Sequence, residues 1–180
     1  PFFEVSLFDP EAPARGDVGL RLAAEYEPAP GWEIAGSVRG RIAGSLDEIP
    51  ADSDSVLPRV RSDFAKYYKE DVTLEKLTFA HYGRPGENLY SRVTVGYLET
   101  MHAGVSAELL WKRPDSRWGL GAEVNYTRQR EFDGGFGLQD YDVWTGHVSA
   151  YVDLGGGFHG QLDVGRYLAG DEGATITLDR

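Results

Sequence analysis

The sequence of 180 residues predicts an all-β fold, a transmembrane antiparallel up-and-down β-barrel of about ten strands with one short helix in a long loop. Three observations support this prediction. Apolar and polar residues alternate with period two over many segments, which is typical of strands with two unlike faces. Aromatic residues stand at the ends of the apolar faces, as they do in membrane barrels. There is no run of eighteen or more apolar residues, which excludes a helical membrane span.

The clearest alternation lies within residues 89–128, and its densest part is 101–111. There the odd-numbered residues are apolar, and polar or small residues from His102 to Glu108 separate them. Residues 89–97 repeat the pattern before this segment, and residues 118–126 repeat it after the turn signal at 113–116. We therefore expect three successive strands, each with one apolar and one polar face.

The apolar faces of these strands are sorted by depth. Aliphatic residues occupy the middles, whereas Tyr97, Trp111, Trp118 and Tyr126 stand at the ends. A soluble β-sandwich excludes water along the whole strand and gives no reason for such sorting. A bilayer does, because amphipathic aromatic rings favour its two interfaces. The pattern therefore predicts strands that cross a membrane.

Composition limits the possible functions. Acidic residues outnumber basic ones 29 to 18, and the net charge of −11 argues against nucleic acid as a partner. The absence of cysteine excludes disulfides, thiolate metal sites and cysteine nucleophiles. Because the chain begins with Pro1 and ends soon after a strand-like run, we expect residues 1–180 to be a partial barrel domain, a fragment of a larger one.

The N-terminal part predicts three strands, over residues 2–8, 17–26 and 32–42. Breaker residues at 9–13 separate the first two strands. A Pro-Ala-Pro-Gly turn at 28–31 separates the second and third, and it brings Tyr26 and Trp32 to one interface.

Residues 43–71 predict a long loop that contains the helix. Residues 47–58 are polar and acidic, whereas Val60, Phe64, Tyr67 and Tyr68 recur with helical spacing within 59–69. A helix here also places both long loops, at 43–71 and 129–140, at the same end of the barrel. A further strand in its place would put these loops at opposite ends, so a helix is favoured.

Beyond this loop the pattern predicts seven strands, separated by short turns and by the loop at 129–140. They cover residues 72–82, 89–97, 101–111, 118–128, 141–154, 158–164 and 174–178.

Several peptides in order carry a resemblance to a known family. They are Leu89-Tyr90-Ser91-Arg92, Gly96-Tyr97-Leu98-Glu99-Thr100-Met101, Arg128-Gln129-Arg130, Phe136-Gly137-Leu138-Gln139-Asp140-Tyr141-Asp142, Thr145-Gly146-His147 and Gly165-Arg166-Tyr167-Leu168-Ala169-Gly170-Asp171. Over about residues 59–180 the chain resembles the YjbH-type exopolysaccharide-biosynthesis outer-membrane proteins. The resemblance implies a barrel in the bacterial outer membrane, produced with machinery for capsular or secreted polysaccharide. It implies no catalytic residues.

The polar strand faces are predicted to face the barrel interior, whereas Val93, Val105, Leu120, Val124 and Val148 face lipid. The candidate interior residues are Arg92, Glu108, Glu123, Asn125, Arg128, His147 and Asp163. Their charges have two open interpretations. They line a path for a polymer, or they pair across adjacent strands so that no charge is left alone in a narrow lumen.

The peptide 165–171 is the most distinctive one and also has two interpretations. Arg166 and Asp171 contact a sugar or a partner protein at the rim, or Gly170 bends the chain while Asp171 caps the turn. The second interpretation is favoured because these residue types are common in turns.

Other chemistry is weakly indicated. His147 and Ser149 suggest an outer-membrane hydrolase, but both lie on the polar face and no third group orients the histidine. The acidic motifs 52–54 and 133–135 lack the oxygen ligands that calcium requires, so both are interpreted as solvated loops. No metal, no cofactor and no catalytic residue is predicted.

The sequence therefore predicts a non-enzymatic outer-membrane barrel that takes part in export or assembly of an extracellular or capsular polysaccharide. The expected partners are outer-membrane lipid, the polysaccharide and other exopolysaccharide-secretion proteins. Three alternatives remain: a general diffusion porin, an outer-membrane hydrolase of the phospholipase kind, and a soluble lipid-binding barrel with its apolar face inside.

Overall fold

A computed structural model describes residues 1–7, 14–48 and 62–180. These residues form a single antiparallel sheet of ten strands, in which every strand pairs with its neighbours in the chain. The predicted all-β, up-and-down topology and the number of strands are confirmed. The sheet is open, with β1 and β10 at its edges, so the closed barrel is not part of the described structure.

The strands agree in order with the predicted ones, and several are longer. They are β1 (Phe2–Leu7), β2 (Ala14–Ala29), β3 (Trp32–Gly44), β4 (Val72–Gly86), β5 (Leu89–Tyr97), β6 (His102–Trp111), β7 (Trp118–Arg130), β8 (Leu138–Gly155), β9 (Phe158–Arg166) and β10 (Glu172–Asp179).

The connections differ between the two ends of the sheet. At one end, residues 30–31, 87–88, 112–117 and 156–157 join the strands. At the other end, one connection runs from Gly44 to Val72 and another from Arg130 to Leu138, together with the shorter segments 98–101 and 167–171. The two longest connections therefore share an end, as the loop-length argument predicted. These ends are called the short-turn end and the long-loop end below.

The predicted helix is present, but as a 3₁₀ helix over Ser62–Tyr68, and a second short 3₁₀ helix covers Leu46–Glu48. Residues 49–61, which include Val60 and the acidic motif 52–54, lie outside the described residues. The residues with helical spacing do not share one buried face, since Phe64 is 37% exposed while Tyr67 is buried together with Ala65. A 3₁₀ helix repeats every 3 residues, so α-helical spacing does not describe its faces.

The sheet has one apolar and one polar face. Large apolar side chains stay exposed along the first face, from Leu22 on β2 to Val148 on β8 and Ile176 on β10. The clefts found among the described residues are lined mainly by the opposite, polar face, which is therefore the concave one. A soluble lipid-binding barrel has the reverse arrangement. No helix in the described part of the chain is long and apolar enough to span a membrane.

Candidate functional site

A row of charged residues crosses the centre of the concave face. The strand register places Arg92 (β5), Glu108 (β6), Glu123 (β7) and His147 (β8) directly opposite one another in that order. Glu108 therefore faces Glu123, an arrangement of like charges that destabilises a strand pair on its own. The Arg92 cation compensates for this repulsion, and the outer members each contact one of the two carboxylates. The Arg92 Nε donates to Glu108 Oε1 at 3.0 Å, and His147 Nδ1 lies 2.9 Å from Glu123 Oε1.

Polar residues beside this row extend the network towards β9. The Asn125 side-chain amide donates to Glu123 Oε1 and to Thr145 Oγ1, both at 3.1 Å. The Ser149 hydroxyl donates to Asp163 Oδ1 at 2.6 Å. Six of the seven candidate interior residues thus share one face and one hydrogen-bonded surface. This arrangement supports the interpretation that charges pair across adjacent strands.

Arg128 is the exception, and its predicted place on the polar face is wrong. It lies opposite Ala103 and Asp142, on the same face as Tyr126. Strict alternation from Glu123 gives residues 125, 127 and 129 to the concave face and residue 128 to the apolar face. Arg128 can lie there because it stands beyond the aromatic end of the strand, where it pairs with the exposed Asp140 at 3.4 Å.

The segment 165–171 behaves as a turn. The Gly170 nitrogen donates to the Tyr167 carbonyl at 3.0 Å, and Gly170 has a φ of 81°, a conformation that favours glycine. The Arg166 Nε donates to the Gly170 carbonyl at 3.3 Å, and the Asp171 carbonyl accepts from the Tyr167 nitrogen at 2.9 Å. Arg166 and Asp171 thus both bond within the turn, Arg166 through its side chain and Asp171 through its backbone.

A second charged cluster, not found from the sequence, joins β1, β2, β3 and β4. Arg21 forms a two-pronged ion pair with Glu75, at 2.6 and 2.7 Å, and a third bond to Glu4 at 3.2 Å. Arg39 is 4% exposed and donates to Glu4 at 3.0 Å, while its guanidinium lies 4.2 Å from the centre of the Tyr68 ring. Each arginine thus has a carboxylate partner, which a buried charge requires.

A buried group of hydrogen bonds around Arg130 lies at the long-loop end of the sheet. Arg130 is 1% exposed and donates to the carbonyl oxygens of Leu74, Glu99 and Gly135 at 2.7 to 2.9 Å. The Tyr67 hydroxyl donates to the Arg130 carbonyl at 2.6 Å. Burial raises the pKa of Tyr67 to about 12. The 3₁₀ helix and two loops are therefore fixed to the end of β7.

In the described part of the chain, His147 and Ser149 are not hydrogen-bonded to each other. The Ser149 hydroxyl donates to Asp163, whereas His147 contacts Glu123 and the Tyr167 ring, whose centre is 4.6 Å away. A nucleophilic serine needs a hydrogen bond to its base. Within the described residues there is also no cluster of three or more His, Asp or Glu that could hold a metal ion.

Comparisons with known proteins agree with the predicted resemblance and extend it over the whole chain. The model of a family described as exopolysaccharide biosynthesis protein YbjH matches residues 1–180. A protein of Escherichia coli (strain K12) named uncharacterized lipoprotein YjbH is 35% identical over 151 residues, which are 79% of this chain and 22% of that protein. The chain thus spans less than a quarter of the length of that relative. No solved structure matches the chain. Since the family model covers every residue, the chain belongs to the YjbH exopolysaccharide-biosynthesis family.

Proposed function

We propose that this chain is part of an outer-membrane β-barrel that takes part, without enzymatic activity, in the export or assembly of an extracellular or capsular polysaccharide. One observation carries the proposal. The sheet exposes apolar side chains on its convex face and collects its charged network on its concave face, which suits a barrel surrounded by lipid and filled with water.

The spacing of the aromatic residues on the apolar face supports contact with a membrane. The rings of Trp111 and Trp118 lie 5.2 Å apart at the short-turn end, and those of Tyr126 and Trp144 lie 5.0 Å apart towards the other end. Trp118 and Tyr126 are eight residues apart on β7, which is about 26 Å along a strand and about 20 Å after a typical barrel tilt. That approaches the ~25 Å apolar band of outer-membrane barrels.

Two charged residues of the apolar face, Arg128 and Asp142, lie beyond the aromatic pair of Tyr126 and Trp144. Arg128 follows Tyr126 by two residues, and Asp142 precedes Trp144 by two. An arginine at the bilayer midplane of a barrel costs ~2–4 kcal/mol, but only ~0–1 kcal/mol near an interface. The positions of Arg128 and Asp142 are therefore compatible with lipid around the central part of the sheet.

The family and the concave face together support polysaccharide as the substrate. The family is described by its role in exopolysaccharide biosynthesis, and the name of the Escherichia coli relative calls that protein a lipoprotein, which suits attachment to a membrane. On the concave face the charges pair with each other, which leaves neutral hydrogen-bonding groups between them. Such a surface suits a hydrated polymer that must slide past without being held. Outer-membrane lipid and other secretion proteins complete the proposed partners.

The experiment places one tryptophan on each face of β6. Ser106 lies on the concave face opposite Asn125, and Val105, its neighbour, is 44% exposed on the apolar face. In cells that carry the complete gene, we expect Ser106→Trp to reduce surface polysaccharide and Val105→Trp to leave it unchanged at equal protein levels in the outer membrane. If deletion of the gene leaves the polysaccharide normal, or if the two variants act alike, the proposed conduit is wrong.

A further inference from the structure

Three tyrosines line a cleft on the concave face towards the short-turn end. Tyr82, Tyr90 and Tyr151 come from β4, β5 and β8, and they are 43%, 38% and 37% exposed. The strand register places Tyr82 opposite Arg92 and Tyr90 opposite Leu110, so both are on the concave face. The cleft has a volume of about 580 Å³, which is within the usual range for small-molecule sites.

The aromatic belts of the membrane interfaces do not account for these rings. Belt residues face lipid, whereas the three tyrosines lie on the opposite face of the sheet. Their partly exposed rings present amphipathic surfaces towards the interior, each with a hydroxyl at its edge.

Glycines form the floor of the cleft and let Tyr151 lie close to the sheet. A Cβ on Gly121 would stand 3.1 Å from the Tyr151 ring, and one on Gly119 would stand 3.0 Å from the Lys112 side chain. Larger residues at these two positions would thus displace the wall of the cleft. The open space beside the rings depends on both glycines.

The two cations that line the cleft, Arg92 and Lys112, already have hydrogen-bond partners. Arg92 donates to Glu108, and the Lys112 ammonium donates to the backbone carbonyls of Arg113 and Ser116. Glu123 and Ser149 also line the cleft and can accept hydrogen bonds from hydroxyl groups. A strongly anionic ligand would therefore meet carboxylates and engaged cations.

We propose that this cleft binds neutral hexose units of a glycan chain. The C–H face of a pyranose ring packs on a tyrosine ring, and its hydroxyls exchange hydrogen bonds with the carboxylates and the Arg92 guanidinium. The inference rests on the proposed function, because it names the class of sugar that the interior contacts. Contact with an open ring surface is weak for each unit, so the polymer can move from one tyrosine to the next.

Binding is measured on the complete protein, purified in detergent, by saturation-transfer NMR and titration calorimetry. The neutral probe is maltohexaose, and the anionic probe is an oligogalacturonate of the same length. We expect maltohexaose to bind better than the anionic probe. We expect Tyr151→Ala to weaken its binding by about 5- to 10-fold, which corresponds to the loss of one aromatic contact.

Two control variants separate contact from folding. Tyr151→Phe keeps the ring and retains most of the binding, whereas Tyr26→Ala removes a ring that is 65% exposed on the apolar face and leaves binding unchanged. Circular dichroism and the thermal midpoint establish that each variant is folded. No binding of maltohexaose, stronger binding of oligogalacturonate, or equal losses in Tyr151→Ala and Tyr26→Ala each overturn the inference. Surface polysaccharide in a gene deletion tests the proposed function separately, since normal export there refutes the conduit whatever the cleft binds.

Discussion

Replacement of Val93 by arginine tests the orientation of the sheet directly. Val93 is the central residue of β5, four residues from Leu89 and from Tyr97, and it is 47% exposed on the apolar face. If this face contacts lipid, Val93→Arg places a charge near the bilayer midplane and costs ~2–4 kcal/mol. Thr94, the next residue, lies on the concave face opposite Ser106, so Thr94→Arg should cost less than about 1 kcal/mol.

The assay is equilibrium folding of the complete protein into lipid vesicles, followed by tryptophan fluorescence over a guanidinium series. The free energies of unfolding of Val93→Arg, Thr94→Arg and the unchanged protein are compared in the same vesicles. A cost for Val93→Arg that is at least about 1 kcal/mol larger than the cost for Thr94→Arg supports the orientation. Equal costs, or a larger cost for Thr94→Arg, would refute it.

Three further predictions concern the polar network. Arg92→Leu should lower the free energy of unfolding by about 1 kcal/mol, because Glu108 then faces Glu123 without its cation. The double variant Arg92→Leu with Glu108→Leu should recover most of this loss in the same folding assay. The pKa of Tyr67 is raised to about 12 in the folded state, so folded Tyr67 keeps its proton at pH values where unfolded Tyr67 has lost it. The contribution of Tyr67 to the free energy of unfolding is therefore fully present below about pH 10 and falls as pH rises towards 12. Tyr67→Phe should flatten that part of the stability profile, and an unaltered profile would contradict the raised pKa. His147→Ala should leave surface polysaccharide unchanged, whereas its abolition would favour the hydrolase alternative.

Strand alternation was enough to predict the sheet. Most of the ten strands have a period-two pattern, and short turns leave an up-and-down meander as the simplest way to pair them. The charge of Arg128 predicts a place in the interior, and this prediction is wrong. Alternation counted from Tyr126 places Arg128 on the apolar face, two residues further along β7. The charge of Arg128 is compatible with the apolar face because Arg128 lies beyond the aromatic pair of Tyr126 and Trp144.

Contacts between distant strands and loops could not be predicted. Arg21 binds Glu75, which is 54 residues away in the sequence, and Arg130 binds Leu74, which is 56 residues away. A loop without alternation separates Arg21 from Glu75. Such pairs depend on the register of the strands. Irregularities between Val18 and Gly19 and between Ser37 and Val38 shift this register by single residues. The tyrosine cleft was missed for the same reason, since each ring belongs to a different strand.

Two glycines connect the curvature of the sheet with its charged interior. A Cβ on Gly104 would lie 2.0 Å from the Tyr126 carbonyl oxygen, and one on Gly165 would lie 1.9 Å from that of Gly146. Both glycines are on the concave face, where side chains crowd together as a sheet curls, so their lack of a side chain lets the backbones approach. Gly165 also stands directly opposite His147, the end of the charged row. The Tyr167 ring packs against His147, and a Cβ on Gly173, the residue paired with Gly165, would stand 3.3 Å from that ring. Gly104 and Gly165 thus let neighbouring backbones approach closely on the same face that carries the charged row.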